Sequence, residues 1–387
     1  MRLRRSWLPT AGEVATLLLF ATTAFALGLF FGHVGLIPRL EVLLYSTMAV
    51  GPASDEDRGA IIRAYYAELD RRLIAGRELV SAAYDDAGTF EEARKGKRAE
   101  LLRLLGMSGS VKALKIDEGP VRRLENVALS LVRIETSDGW PAKGYLLRPL
   151  GLKGPRPGVI ALHGMGSSAN KVAGLDRQDD YVHRFGLELA KAGFTVFVPF
   201  LVGRGEELRA VARQGIAVGR PLAGLEVEQV LVAAEYLRGL PEANGRVGAY
   251  GISLGGFYAL LGAAVDDTID AVVISGYFND RDEKLLRDPL MLAEVGGEAA
   301  YLPGIAATFS DVDIAMLVLP RPILIEQGRN DPWIDAGTVR RELTRVAQAY
   351  AALGFGGRVS LEAFEGGHEI GGTQAPSWLK RWLDGPE

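Results

Sequence analysis

Val247-Gly248-Ala249-Tyr250-Gly251-Ile252-Ser253-Leu254-Gly255-Gly256-Phe257-Tyr258-Ala259-Leu260-Leu261 is the stretch on which the reading of this chain turns. A short apolar run ends at Tyr250, a glycine-flanked serine follows, and an apolar stretch of helical length runs from Leu254 to Val265. Strand, sharp turn and helix form the setting of a nucleophile elbow, in which the turn lifts a serine hydroxyl clear of the sheet. The turn is tight, so the residues flanking the serine must be small, and Gly251 and Gly255 are. The helix behind it would offer unpaired N–H groups and the positive end of its dipole. With 48 Gly in 387 residues, the bare G-x-S-x-G spacing is weak evidence. The strand before it and the helix after it give it weight.

A serine hydroxyl is a poor nucleophile at neutral pH and needs a base. An elbow serine is followed along the chain first by its acid and then by its histidine. The chain has four His, at positions 33, 163, 183 and 368, so His368 is the one histidine beyond Ser253. It sits in Glu365-Gly366-Gly367-His368-Glu369, after the strand predicted over Val359–Phe364. The acid should follow the strand before that one. Pro320-Arg321-Pro322 leads into Ile323-Leu324-Ile325-Glu326-Gln327, and Asp331 lies in the loop beyond. Its rivals are Glu326, at the strand end, and Asp335. The oxyanion of a tetrahedral intermediate needs two N–H donors. One is Leu254, next after the serine. The other belongs to His163-Gly164-Met165-Gly166-Ser167-Ser168, with Met165 first and Gly164 second. That loop lacks the spacing of a nucleotide-binding glycine motif, so His163 is expected to shape the loop. His183 falls on a helix predicted over Tyr181–Ala192, in a packing role. No His and carboxylates stand at metal-ligand spacing, and neither a metal nor another cofactor is expected.

Working outward, strands are predicted at Val127–Thr136, Ala142–Arg148, Gly158–His163, Thr195–Pro199, Arg246–Tyr250, Ala271–Ser275, Ile323–Gln327 and Val359–Phe364. Helices are predicted near Tyr181–Ala192, Leu225–Leu240, Leu254–Val265, Ala336–Leu353 and Pro376–Leu383. Such alternation specifies an α/β fold with a mainly parallel sheet covered by helices on both faces. The first two strands, joined at Ser137-Asp138-Gly139, would form an antiparallel edge hairpin. Residues 40 to about 125 read mostly as helix. One helix opens at Asp55-Glu56-Asp57 and runs through Leu73, and another covers about Phe90 to Leu105 before Gly106. This stretch carries no catalytic constellation and reads as a linker, packing layer or cap.

These motifs together resemble the α/β-hydrolase superfamily, in its acetyl xylan esterase-like and dienelactone hydrolase-like branch. The stretches that carry the likeness are Gly144-Tyr145-Leu146-Leu147-Arg148-Pro149, His163-Gly164, Gly193-Phe194-Thr195-Val196, Gly251-Ile252-Ser253-Leu254-Gly255-Gly256, Pro320-Arg321-Pro322 with Gly328 and Asp331, and Gly367-His368. The likeness covers about residues 126–387. It implies a cofactor-free serine hydrolase and does not fix the substrate, since this fold hosts many chemistries. Two departures stand out: Pro199 is followed by Phe200 where such proteins often carry Asp, and Glu226 and Glu228 stand where an Asp is common.

At the other end, Val14 to Pro38 holds no Asp, Glu, Lys or Arg. As a helix it would reach roughly 37 Å, enough to cross a bilayer core of about 30 Å. Arg2, Arg4 and Arg5 precede it and Asp55-Glu56-Asp57 follow. The charge bias therefore places the N-terminus in the cytoplasm and the rest outside, periplasmic or extracellular. Ala24-Phe25-Ala26 supplies the competing reading, a signal peptide cleaved to release a secreted enzyme. The expected organisation is a stub over 1–13, a transmembrane anchor over 14–38, a helical segment over 39–125 and a catalytic domain over 126–387.

The balance of 44 Lys plus Arg against 48 Asp plus Glu argues against a nucleic-acid binder working through bulk positive charge. The absence of Cys excludes disulfide scaffolds, thiolate metal sites and cysteine nucleophiles. The expected activity is hydrolysis of carboxylic esters through Ser253, His368 and Asp331. The alternatives are a prolyl-oligopeptidase-like peptidase, for which about 85 residues after the span are too few to build a propeller, and an inactive hydrolase fold kept as a membrane-tethered binding module.

Overall fold

From Val127 the side chains alternate between two sides of a sheet, and each side buries its own core. Val127 and Leu129 join one apolar cluster, Val132 and Ile134 the other. The computed structural model describes residues 60, 61, 64, 65, 67–69, 71, 87–107, 111–176, 180–202, 205–282 and 297–385. The span Val14–Pro38, with its cleavage pattern and His33, lies outside them. Among the described residues no helix is long and apolar enough to cross a membrane.

The chain divides into two compact units, Met1–Asp70 and Arg71–Glu387. In the first, the described residues are helical, within the helix predicted over Asp55–Leu73. The second contains, in chain order, α1 (Ala87–Leu104), β1 (Ala113–Glu118), β2 (Arg122–Leu124), β3 (Val127–Thr136), β4 (Ala142–Pro149), β5 (Arg156–Leu162), α2 (Ala169–Val172), α3 (Phe185–Lys191), β6 (Thr195–Pro199), α4 (Gly205–Ala217), α5 (Leu222–Arg238), β7 (Ala243–Ile252), α6 (Leu254–Val265), β8 (Ala271–Ser275), α7 (Ile305–Thr308), α8 (Asp311–Val318), β9 (Ile323–Gly328), α9 (Ala336–Ala352), β10 (Val359–Phe364) and α10 (Ala375–Leu383). The strands form one sheet in the order β1-β3-β4-β6-β5-β7-β8-β9-β10, with β2 also on β3. From β6 to β10 all pairings are parallel. Pairings among β1, β2, β3, β4 and β6 are antiparallel.

Strands β6, β8 and β9 are buried along their whole length, which is why each reads as a short apolar run with its polar residues near the ends. Helices α1, α4, α5, α6, α8 and α9 cover one face. Helices α2, α3 and α10 cover the other. The expected three-layer, mainly parallel architecture is present.

Three differences from the sequence reading have physical causes. Residues 113–118 and 122–124, placed in a mostly helical stretch, are strands. Every residue of β1 is exposed, so no buried face advertises it. The β3–β4 hairpin is therefore not the outermost edge, because β1 and β2 lie outside it. The helix expected over Tyr181–Ala192 begins only at Phe185, because His183 and Arg184 take left-handed φ values of 46° and 49°. Short helices α2, α7 and α8, and the longer α4, were not anticipated.

Helix α1 is a packing layer. Leu101 and Leu105 are fully buried. Arg98 donates to the Ala264 carbonyl at 3.1 Å and pairs with Asp267, so its charge sits at the C-terminal end of α6. Arg94 donates to the Leu319 carbonyl just past α8 at 2.8 Å. A side chain at Gly224 on α5 would start 1.9 Å from the Leu105 carbonyl oxygen, so that helix contact requires glycine.

Candidate active site

Ser253 stands between β7 and α6 with φ 55° and ψ −123°, a region that L-residues avoid. Its surroundings enforce it. The Ser253 N–H donates to the Ser275 carbonyl at the end of β8 (2.9 Å), and the Ser253 carbonyl accepts from Phe257 (3.0 Å), starting α6. A side chain at Gly251 would begin 2.2 Å from the Gly255 carbonyl oxygen, and one at Gly255 would begin 2.3 Å from that of Leu162. Both flanking positions thus admit only glycine, for the steric reason that the spacing implied. Leu254 is the first residue of α6, so its N–H has no partner within the helix.

The loop after β5 approaches from the neighbouring strand. A side chain on Gly164 would start 3.0 Å from Ser253 Cβ and 2.9 Å from the Tyr181 hydroxyl. His163 is buried, which holds its ring neutral, and its Nδ1–H donates to the Gly164 carbonyl at 2.9 Å. In a trans peptide the C=O and the following N–H point opposite ways. Fixing the Gly164 carbonyl on His163 therefore fixes the direction of the Met165 N–H. The Met165 carbonyl is held in turn by the Tyr181 hydroxyl at 2.9 Å, which burial keeps protonated.

His368 and Asp331 meet across the loops that follow β10 and β9. The His368 Nδ1–H donates to Asp331 Oδ2 at 2.8 Å. The Asp331 side chain is fully sealed, while that of His368 keeps 19% of its exposure, leaving the imidazole reachable and its partner not. Burial pushes the Asp331 carboxyl up, but bonds from His368, the Trp333 N–H and Gln327 more than offset it, and the group lies below its ordinary value. Trp333 donates to Oδ1 at 2.8 Å and Gln327 Nε2 to Oδ2 at 3.2 Å. The two loops are knitted together by Asn330 N–H on the Gly366 carbonyl (2.9 Å). Gly276, next after Ser275, lies beneath the pair, since a side chain there would start 3.1 Å from His368 Cε1 and 3.6 Å from Asp331 Oδ2. Ser253 is bonded to Ser275, and Gly276 lies against His368, so all three predicted residues gather at the C-terminal ends of the parallel strands.

The rival acids are occupied elsewhere. Asp335 caps α9 by accepting the Thr338 N–H at 2.6 Å. Glu326 is wholly buried and accepts from Tyr250 (2.6 Å) and Gly372 (3.1 Å). His183 lies in the turn before α3, with Nε2 2.8 Å from Glu369 Oε2. Of the residues that departed from the expected pattern, Glu226 is buried, its carboxyl pushed up to about 8 by desolvation, and it accepts the Val202 N–H at 2.6 Å. Glu226 thus anchors the chain after β6.

Sequence reasoning missed Tyr181, Gln327, Gly276 and the His183–Glu369 pair. Tyr181, Gly276 and the His183–Glu369 pair act on partners far along the chain, while Gln327 acts on Asp331 only four residues on, across a turn that no spacing motif marks. With Gly367 and His368, Asp180, Tyr181, His183 and Glu369 line an open depression of about 310 Å³ beside the imidazole. Among the described residues no cluster of three or more His, Asp or Glu could hold a metal ion.

Solved structures share the architecture. One described as "a putative acetyl xylan esterase" from Bacteroides fragilis NCTC 9343 is 18% identical, with a TM-score of 0.59, covering 78% of this chain and 84% of its own. A glucuronoyl esterase from Solibacter usitatus is 14% identical, with a TM-score of 0.56, covering 76% and 93%. At such identities the likeness is one of fold, that of the α/β-hydrolases. In sequence, "Putative hydrolase YtaP" of Bacillus subtilis (strain 168) is 28% identical over 309 residues, which are 75% of this chain and all of the relative. The model of the dienelactone hydrolase family matches residues 143–354, more than half of the chain, from β4 through the elbow and Asp331 to the end of α9. The chain belongs to the dienelactone hydrolase family of hydrolases.

Proposed function

We propose that the protein is a serine esterase. Ser253 attacks the ester carbonyl, and His368 takes its proton and passes it to the leaving alcohol. Asp331 holds the imidazole in the right tautomer and stabilises its charged form. The N–H groups of Leu254 and Met165 bind the oxyanion, and water releases the acid by the same route in reverse. The observation that carries this reading is the 2.8 Å bond from His368 to a sealed Asp331, with Ser253 on a strained elbow against the same strand ends. The substrate class we infer is a small acyl ester, acetyl above all. The solved structures of like fold are named for esterases, among them an acetyl xylan esterase, a methylesterase and a glucuronoyl esterase.

A fluorophosphonate probe tests the reading, because only an activated serine reacts with it. The full chain should label at Ser253. Ser253→Ala and His368→Ala should each lower kcat for a p-nitrophenyl ester by at least ~10³-fold, and the double variant should lose little more, since members of a triad act as a unit. Near-normal turnover in either single variant sinks the assignment. A chain that neither labels nor turns over esters would be the inactive binding module instead.

The proposed location is outside the cytoplasm, on an N-terminal anchor. This rests on the uncharged run Val14–Pro38 behind Arg2, Arg4 and Arg5.

A further inference from the structure

Between His368 and α10 the chain turns rather than runs straight, with Gly372 at φ 64° and Gln374 in the helical region, and three of its N–H groups are held by other elements. Ile370 donates to the Tyr181 carbonyl at 2.8 Å, Gly372 to Glu326 Oε1 at 3.1 Å and Gln374 to Glu362 Oε2 at 3.0 Å. Two of these three tethers are carboxyls on neighbouring strands. Glu326 on β9 and Glu362 on β10 are register partners, so their side chains leave the sheet side by side on one face. Both are buried, at 0% and 3% exposure.

Two carboxylates in contact in an apolar layer cannot both be charged without a cation, and none is supplied. Tyr250 on β7 faces Glu326 and donates to it at 2.6 Å, and Ser275 on β8 lies beside it with its hydroxyl donating to the Glu369 carbonyl at 3.2 Å. Helix α3 contributes Phe185 against Tyr250, and α10 contributes Trp378, Leu379 and Leu383 to the same cluster, none of them titratable. Among the described residues no Arg, Lys or His pairs with either acid. The carboxyl donors and acceptors balance if one acid is neutral and donates to the other. Burial pushes Glu326 up to about 7, and Glu362 is raised as well.

We propose that Glu326 and Glu362 share a single proton, and that this protonated pair is the clamp positioning the segment that carries His368. Loss of the proton leaves two buried like charges, water must enter to separate them, and the tethers on Gly372 and Gln374 loosen. The pair is a positioning device: neither acid touches substrate. The inference rests on His368 being the base, and it assigns the alkaline limit of activity to this pair.

Two measurements test it. The first is the pH profile of kcat/KM for a p-nitrophenyl ester in the full chain and in Glu326→Gln and Glu362→Gln. An amide supplies the shared N–H permanently. The wild type should lose activity roughly tenfold or more above neutral pH, while the variants keep it to at least about one pH unit higher, with the acid limb unmoved. An alkaline limb at the same pH in both variants overturns the proposal. The second uses the wild type alone, so it holds if a variant fails to fold. Hydrogen exchange at Gly372 and Gln374, corrected for the intrinsic rate at each pH, should show protection falling at least about tenfold from pH 6 to pH 9. Constant protection overturns it. If the wild type hydrolyses no ester and ignores a fluorophosphonate, the esterase reading fails, and the exchange measurement still decides whether the pair exists.

Discussion

Glu326 and Asp331 are five positions apart and both side chains are sealed, yet their bonding partners hold them in different charge states. Asp331 is sealed but receives bonds from His368, Trp333 and Gln327, so it stays an anion that can orient an imidazole. Glu326 is sealed among apolar groups and another acid, so it is held towards neutrality. Asp331→Asn should therefore cut kcat by about 10³-fold or more while the far-UV spectrum stays native, because the amide favours the wrong tautomer of His368. Glu326→Gln should cost far less at pH 6 to 7. If the order is reversed in a steady-state assay at that pH, the acid has been misassigned. Ser253, His368 and Asp331 were legible in the sequence for separate reasons. The elbow is a local pattern, His368 has no competitor downstream, and Asp331 follows a strand that reads clearly. Gly276 and Glu362 were illegible because each acts on a residue that only the folded sheet brings near, and Gln327 because nothing local marks the turn that returns Asp331 to it.

At the scale of elements, the parallel strands were readable because each carries a cluster of apolar residues of strand length, and β1 was not, because it buries nothing. A helix over about Phe90 to Leu105, ended by Gly106, was expected from the sequence, but the purpose of α1 needed the fold. It lays Leu101 and Leu105 into the core and sets Arg94 and Arg98 on carbonyls at or just past the ends of α8 and α6. Since α6 carries Leu254 at its other end, α1 braces the helix that supports the elbow. Leu101→Ala should lower stability by about 3 kcal/mol, within the roughly 2–5 kcal/mol typical of buried leucines. Arg103→Ala, which breaks only the exposed pair with Glu100, should leave it almost unchanged. Urea unfolding followed by tryptophan fluorescence would measure both, and equal effects would show that α1 does not brace the core.

For the whole molecule, the compact unit Arg71–Glu387 contains every residue of the proposed catalytic site. A chain cut to 71–387 should fold without detergent and keep esterase activity within about threefold, because none of the groups that bind or move a proton lies before it. Aggregation of that fragment would mean that the preceding residues cover part of its core. In intact spheroplasts, external protease should reach this unit in the full chain, and digestion only after lysis would reverse the proposed orientation. The far side of the sheet carries a further consequence. β1 and β2 form a short, interrupted edge, broken at Gly119-Pro120 and irregular between Ala113 and Lys115, with Lys115, Asp117, Arg122 and Arg123 along it. Such an edge resists the addition of another strand. Molecules tethered by their N-termini would meet in two dimensions, at local concentrations far above those of a free solute. On the proposed anchor, an edge of this kind would not extend the sheet of a neighbour, and crowding there would not become polymerisation.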